Sequence, residues 1–416
     1  MNRWLFRWRK LTSELWFRAT VYALFGVAVS LLAGVGAPFV PQEIAEPLGG
    51  ESVEQILTIL ASSLLAVATF SVGAMVTAYT AVSQSATPRV AALVTSDGQT
   101  QRSLATFVGA FLYAIVSVTA INAGYYDQGG RAILFLASLG VVGLVAYRLL
   151  AWINRLSSLA RVGHMIELVE DHTAEAMLDR RRAPHLGGGP GHVRNGEEIS
   201  SCRTGYVQNV DPDRLQKVAA RHDCRVEILT APGVFVRRGD AVARISRDGL
   251  GEEARDDFLS AFTVRTSRSF EQDPRFGLAV LGEIGAKALS PGVNDPGTAI
   301  AVIAAAVRLL DDWARPPEEA ELEPVCDRVF ASEVLPQDLL DDVLGPIARY
   351  GAGDLPVSIS IQEACAMLAE IEAFARPAAR LAADAMARSR LALPIQSDVD
   401  RLERAAFSPR KGARRA

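Results

Sequence analysis

Lysine is scarce in this chain of 416 residues: Lys10, Lys217, Lys287 and Lys411 are the only four among 43 basic residues. Chemistry that needs a lysine, such as a Schiff base or a covalently carried prosthetic group, has few places to occur. Cysteine is as sparse. Cys202, Cys224, Cys326 and Cys365 form no Cys-x-x-Cys pair, so they read as reduced structural thiols rather than a disulfide framework or a metal knuckle. His164, His172, His185 and His192 show no metal-ligand spacing. Paired nucleophile and base, phosphate loop and dinucleotide fingerprint are all missing. The expectations are no metal, no cofactor and no enzymatic activity. A net charge of −4 is too small to imply a nucleic-acid partner.

Charge is also missing locally, and there its absence is most informative. Four stretches, 19–41, 55–88, 103–126 and 132–147, carry no charged side chain over most or all of a bilayer span, which needs about 20 apolar residues. The fourth continues through Arg148 and Trp152, where an arginine can snorkel beside an aromatic anchor. Residues 1–153 therefore read as a four-helix transmembrane domain with membrane lipids as partners. The first stretch follows a basic segment and ends in small residues, like a signal peptide, but its length and the three spans after it argue for a retained helix. Arg3, Arg7, Arg9, Lys10 and Arg18 precede the first span, while the connection 42–54 has four glutamates and no basic residue. Arg89, Arg102, Arg148, Arg155, Arg161 and the triplet Arg180, Arg181 and Arg182 fall on the side of the N-terminus. This bias predicts both termini in the cytoplasm. Trp4, Trp8 and Trp16 with Phe6 and Phe17 form either an amphipathic segment along that interface or ordinary interfacial anchors.

In the second span Ser62, Ala66, Thr69, Gly73, Thr77, Thr80 and Gln84 recur at steps of three and four, which puts them on one helix face. The third repeats the pattern more weakly with Thr106, Gly109, Tyr113, Ser117, Ala120 and Gly124. Small and hydroxylated faces let helices approach closely and hydrogen-bond across the contact. The alternative is that the stripe lines a watery path in a homo-oligomer. No Asp, Glu, Lys, Arg or His lies mid-span, which argues against a proton relay or a strongly coupled ion transporter.

The remainder divides by composition. Residues 154–183 stay helical, as a stalk continuing the fourth span. Residues 184–196 (PHLGGGPGHVRNG) form a flexible linker. Residues 197–248 form a β-rich module: TGYVQNV (204–210) and RVEIL (225–229) are strands, with a helix at 212–222 capped by Asp211-Pro212. The run PGVFVRRGDAVARI resembles the turns and strands of barrel-sandwich modules such as lipoyl domains, but it lacks their lysine. Residues 249–416 read as a helical domain punctuated by prolines, with an apolar face at Leu278, Leu281, Ile284, Ala288 and Leu289. The fold class is thus a membrane α-helical domain of four transmembrane helices, plus a cytoplasmic α+β domain with a small barrel-sandwich-like module.

The most unusual local sequence is ALSPGVNDPGTA (288–299). Asp295 is placed as N-cap and Pro296 as first helical residue. Together with QDPRFGLAVLGEIG, TGYVQNVD and the FSVGAM and SQSATPR segments of the second span, it resembles a bacterial family of predicted membrane proteins, domain of unknown function family 2254. The resemblance covers most of the chain. It implies a bacterial inner-membrane protein with four spans and a cytoplasmic domain, and it implies no activity. Gly297 stands where the family more commonly has a bulkier residue.

Asn294, Asp295 and Thr298 offer backbone N–H groups at a helix start, and Arg275, with Arg268 or Arg265, is a cation placed to help hold an anion there. The alternative is a rigid corner in which Asp295 only caps. Three functions compete: an oligomeric channel-like or sensor protein with a cytoplasmic regulatory domain, a membrane-anchored scaffold or ligand-sensing module, and an enzyme sited near Asn294 and Asp295.

Overall fold

A computed structural model describes residues 15–41, 43, 45, 50, 52–85, 87–95, 98–159, 161–315 and 326–406. The tryptophan-rich segment expected along the interface begins before this range, and most of the acidic connection 42–54 and the Gln84 side chain also fall outside what is described. The chain divides into two compact units, Met1–His164 and Met165–Ala416.

The first unit is built from α1 (Leu15–Gly36), α2 (Ser52–Ser85), the short α3 (Pro88–Thr95), α4 (Gly98–Asn122) and α5 (Gln128–Leu159). Four of these are long and apolar enough to cross a membrane: Trp16–Phe39, Ser52–Val82, Thr100–Asn122 and Gln128–Leu156. At 1.5 Å per residue α2 and α5 approach about 50 Å, longer than the roughly 30 Å hydrocarbon layer.

Helix α4 is the centre of this bundle. Of its span 56% is buried, against 11–17% for the other three. Its partnership with α1 is a backbone-to-backbone crossing of glycines. A Cβ on Gly26 would stand 2.7 Å from the Gly109 carbonyl, and one on Gly109 would stand 2.8 Å from the Tyr22 carbonyl. Helix α2 packs on α4 through Leu57, Leu60, Ala61 and Leu64 against Ala110, Tyr113 and Ala114. Buried hydroxyls tie α1, α4 and α5 together. Tyr113 donates to the Leu134 carbonyl at 3.1 Å, with Ser138 also at 3.1 Å. Ser117 donates to Ser30 at 3.1 Å, and Tyr126 donates to the Ser30 carbonyl at 2.7 Å. In an apolar medium such groups need internal partners, and here each finds one.

The expected continuous stalk over 154–183 is instead interrupted. Helix α5 ends at Leu159 and α6 (Val162–Arg182) starts anew, and most of α6 belongs to the second unit. The elements that follow are β1 (Glu197–Ser200), β2 (Gly205–Val210), α7 (Pro212–Arg221), β3 (Val226–Ile228), β4 (Phe235–Val236), β5 (Ala241–Ile245), α8 (Glu252–Leu259), β6 (Phe262–Arg265), α9 (Pro274–Ala288), α10 (Pro296–Ala314), β7 (Val329–Ala331), α11 (Pro336–Tyr350), α12 (Leu355–Leu368), α13 (Glu372–Ala392) and α14 (Gln396–Arg404). Asp-Pro pairs start three of the helices. Asp211, Asp273 and Asp295 each accept a hydrogen bond from the amide three residues on, with proline next in line, where its missing N–H costs nothing. Pro346, expected to break the chain, lies inside α11.

The strands and the helix at 212–222 form where the sequence predicts them, but the module is not the hairpin unit that PGVFVRRGDAVARI suggests. Two sheets form, ordered β1-β5-β3-β7 and β4-β2-β6. Strands β4 and β5 therefore belong to different sheets, and no closed barrel results. The module also extends past residue 248, because β6 completes the second sheet and β7 pairs in parallel with β3. Ile199, Val207, Val210, Leu215, Val226, Val242, Ile245, Phe258 and Val329 fill the core beneath.

Residues 184–196 are a strap on that sheet rather than a flexible linker. Gly189 donates to the Val329 carbonyl at 2.8 Å, Cys326 to the Gly187 carbonyl at 2.7 Å, and the ring of His185 to the Ala331 carbonyl at 2.7 Å. Glu227 accepts from the Val193 amide at 2.9 Å and pairs with His192 at 2.7 Å. Gly188 passes so close to the Val329 carbonyl that a side chain would collide with it. The glycines serve close approach here, not mobility.

In the helical part, Leu278, Leu281, Ile284 and Ala288 of α9 are buried as their spacing predicts, and α9 packs on α11. Cys224 and Cys365 are buried and Cys202 is exposed. Burial pushes the Cys365 thiol up to about 12, which leaves it unreactive as a nucleophile.

Candidate functional site

The buried face of α2 runs through Val53, Leu57, Leu60, Leu64, Ser71, Ala78 and Val82. At about 100° per residue, Ser62, Ala66, Thr69, Gly73, Thr77 and Thr80 lie within about 40° of Gly73, on the side opposite that face. All six are exposed in the single chain. Among the described residues nothing lies within 4 Å of a Cβ placed on Gly73. Exposed Leu65, Val72 and Val76 flank the stripe on one side and Phe70 on the other. The hydroxyls are held by their own helix: Ser62 donates to the Thr58 carbonyl at 3.1 Å, Thr69 to Leu65 at 2.9 Å, Thr77 to Gly73 at 3.1 Å and Thr80 to Val76 at 3.0 Å. Each keeps lone pairs facing outward. The second span thus presents a narrow polar and small-residue band between apolar shoulders, turned away from its own bundle.

The weaker stripe of the third span has a different fate. Tyr113 and Ser117 lie inside the bundle and bond to α1 and α5, so they do not join the band on α2. The same small and hydroxylated signature produces intramolecular packing in one helix and an open face in the other.

The loop before α10 keeps three of its expected residues together and excludes the fourth. Asp295 accepts from the Thr298 amide at 3.1 Å and from the Thr298 hydroxyl at 2.6 Å. Asn294 takes the left-handed backbone with φ 51°, and its amide donates to the Ser290 carbonyl at 2.9 Å. Thr298 holds the Asp295 carboxyl below the usual range through these bonds. A charged carboxylate thus occupies the end of the helix where an anion would dock. Arg275 is in the first turn of α9, whereas Asn294 follows its last, about 20 Å along the axis. Arg275 is held there by Asp342 at 2.7 Å and Asp338 at 2.9 Å, and Arg268 by Asp273 at 2.8 Å. The expected anion site with Arg275 as its cation does not assemble.

Asp295→Ala is expected to cost about 1 kcal/mol as the loss of a cap, measured by denaturant unfolding of the purified chain. Because the folded carboxyl is depressed, its contribution is complete above the unfolded value of about 3.9 and fades as pH falls below it. Unchanged stability at neutral pH would contradict the capping role.

Arg180 stands in the basic triplet with Arg181 and Arg182, yet it is buried where they are half-buried. Its spacing from Ile166, Val169, Thr173 and Ala176, at steps of three and four, was the available signal.

Comparison with known proteins agrees with the membrane architecture and adds no activity. Uncharacterized proteins of Mycobacterium bovis and Mycobacterium tuberculosis are 26% identical over 273 residues, covering 60% of this chain and 47% of each relative. The chain spans about half the length of these curated relatives. No solved structure matches it. A family model described as "Predicted membrane protein (DUF2254)" matches residues 12–367, and the chain belongs to that family.

Proposed function

We propose that the chain is a subunit of a homo-oligomeric, channel-like membrane protein in which the α2 faces of several copies converge, with the second unit as its cytoplasmic, regulatory part. The observation that carries this reading is the band of Ser62, Thr69, Gly73, Thr77 and Thr80, exposed on the side of α2 opposite its buried face. A helix that needed only a lipid contact would be expected to carry bulky apolar residues there, as Leu65, Val72 and Val76 do on the flank. Small residues favour close approach between helices, and outward lone pairs suit a polar path. Charge bias supports both termini in the cytoplasm of a bacterial inner membrane.

One observation favours a second reading, a membrane-anchored sensor or scaffold without conduction. Each of these hydroxyls is already bonded to its own helix, so the converged faces can also pack dry. Ion flux into liposomes separates the two. If α2 lines a conducting path, the reconstituted protein passes small ions, and Thr69→Val and Thr77→Val, which keep volume and remove a hydroxyl, lower the flux while the oligomer persists. Absence of flux under applied voltage and tension would leave the dry assembly.

A further inference from the structure

The second unit buries a cation two of whose nitrogens lack an acceptor among the described residues. Helix α6 sets Ile166, Val169, Thr173, Ala176 and Arg180 on its buried face, and the last of these is an arginine only 5% exposed as a residue. Its Nε and Nη1 have no hydrogen-bond partner among the described residues. Asp273 is the neighbouring carboxylate that attracts it, but that carboxylate is already engaged. Oδ2 accepts from Arg268 Nε at 2.8 Å, and Oδ1 accepts from Arg268 Nη2 at 2.9 Å and from the Phe276 amide at 3.1 Å. Loss of hydration pulls the Arg180 guanidinium down to about 10. A buried charge with unmet donors is unfavourable by itself, and a protein gains nothing from it unless an anion comes to it.

Space for one is present. Arg180 lines a cavity of about 120 Å³, whose wall also carries Leu229, Val234, Val334 and Leu335. That is roughly four water volumes at about 30 Å³ each, the size of a short-chain acid. The same wall bears Asp273, Glu333 and Asp338. Glu333 is paired with His185 at 3.2 Å and Asp338 with Arg275 at 2.9 Å. A dianion such as phosphate would meet three carboxylates there. A single carboxylate carries less charge, can meet the part of Arg180 that lines the cavity, and leaves an apolar tail for the leucine and valine wall.

We propose that this cavity binds a small organic monocarboxylate, held by Arg180 and by apolar contact with Leu229, Val234, Val334 and Leu335. The site lies wholly within the second unit and does not depend on the α2 band.

The test is thermal unfolding of the full-length protein in detergent with butyrate, its neutral isostere butyramide, or phosphate as probe. Butyrate is expected to raise the midpoint in a saturable way, while butyramide and phosphate leave it unchanged. Arg180→Met is expected to be at least as stable as the parent without ligand, because it removes an unpaired buried charge, and to lose the butyrate response. Val234→Trp, at an exposed edge of the cavity, keeps Arg180 and fills the space, so it too should lose the response. A parent insensitive to butyrate, an equal response to butyramide or phosphate, or an Arg180→Met chain that responds like the parent would overturn the proposal. If Arg180→Met does not fold, Val234→Trp decides: a lost response supports the site and a retained one overturns it.

Discussion

Gly109→Leu is expected to prevent the membrane unit from folding, and Gly109→Ala to cripple it. The first added carbon would already stand 2.8 Å from the Tyr22 carbonyl and 2.9 Å from its carbon. Those atoms are backbone, so no rotamer change relieves the contact, and α1 must back away from α4. The move would loosen the Ser30, Ser117 and Tyr126 hydroxyl cluster a few turns along the same helix pair. Overpacking commonly costs about 1–3 kcal/mol and occasionally more. With α4 as the buried centre of the bundle, we expect the upper end for alanine and complete loss for leucine. The fraction recovered as a monodisperse species after detergent extraction and mild heating measures it. An alanine variant as heat-resistant as the parent would show that the crossing is not as close as described.

Gly73→Leu is expected to do the opposite to the single chain and to harm the assembly. Among the described residues none stands within 4 Å of a Cβ placed there, and replacing glycine inside a helix favours the helix by up to about 1 kcal/mol. Disruption is therefore expected from a second copy of the chain rather than from the described residues of its own. If copies converge through this face, a four-carbon side chain overfills the contact by about 1–3 kcal/mol per subunit, and the oligomer dissociates while the monomer stays folded. Size-exclusion chromatography with light scattering reports both states. An oligomer unchanged by Gly73→Leu would place the subunit contact elsewhere.

These two glycines also show how far the sequence could be read. The four spans are legible because absent charge over about 20 residues leaves a helix few alternatives to the bilayer. The α2 band is legible because its step of three and four is regular. Which side of α2 faces the bundle is not legible, since Ser71 and Ala78 on the buried face are as small and polar as Thr77 and Ala66 on the open one. Tyr113 and Ser117 carried the same signature and turned inward. The composition of 184–196 suggested freedom, but its glycines answer to a strand, Val329–Ala331, that joins the sheet about 130 residues later. A three-residue strand after so long a separation leaves little local signal. Arg275 could be grouped with Asn294 only while the length of α9 between them was ignored. Arg180 escaped because a basic triplet after a span reads as a topology signal, which masks the heptad spacing that buries its first member.

The α2 band is proposed to face other copies of the chain. Cysteine cross-linking in native membranes tests it most directly, with the four natural cysteines replaced by serine and single cysteines placed at 69, 72, 73 and 77. All four positions are exposed in the single chain, and 72 and 73, about 1.5 Å apart in depth, differ chiefly in direction around the helix. Convergence predicts strong dimeric cross-links from Thr69→Cys, Gly73→Cys and Thr77→Cys and a weak one from Val72→Cys, about 100° away. Equal cross-linking at all four positions, or none at position 73, would contradict it.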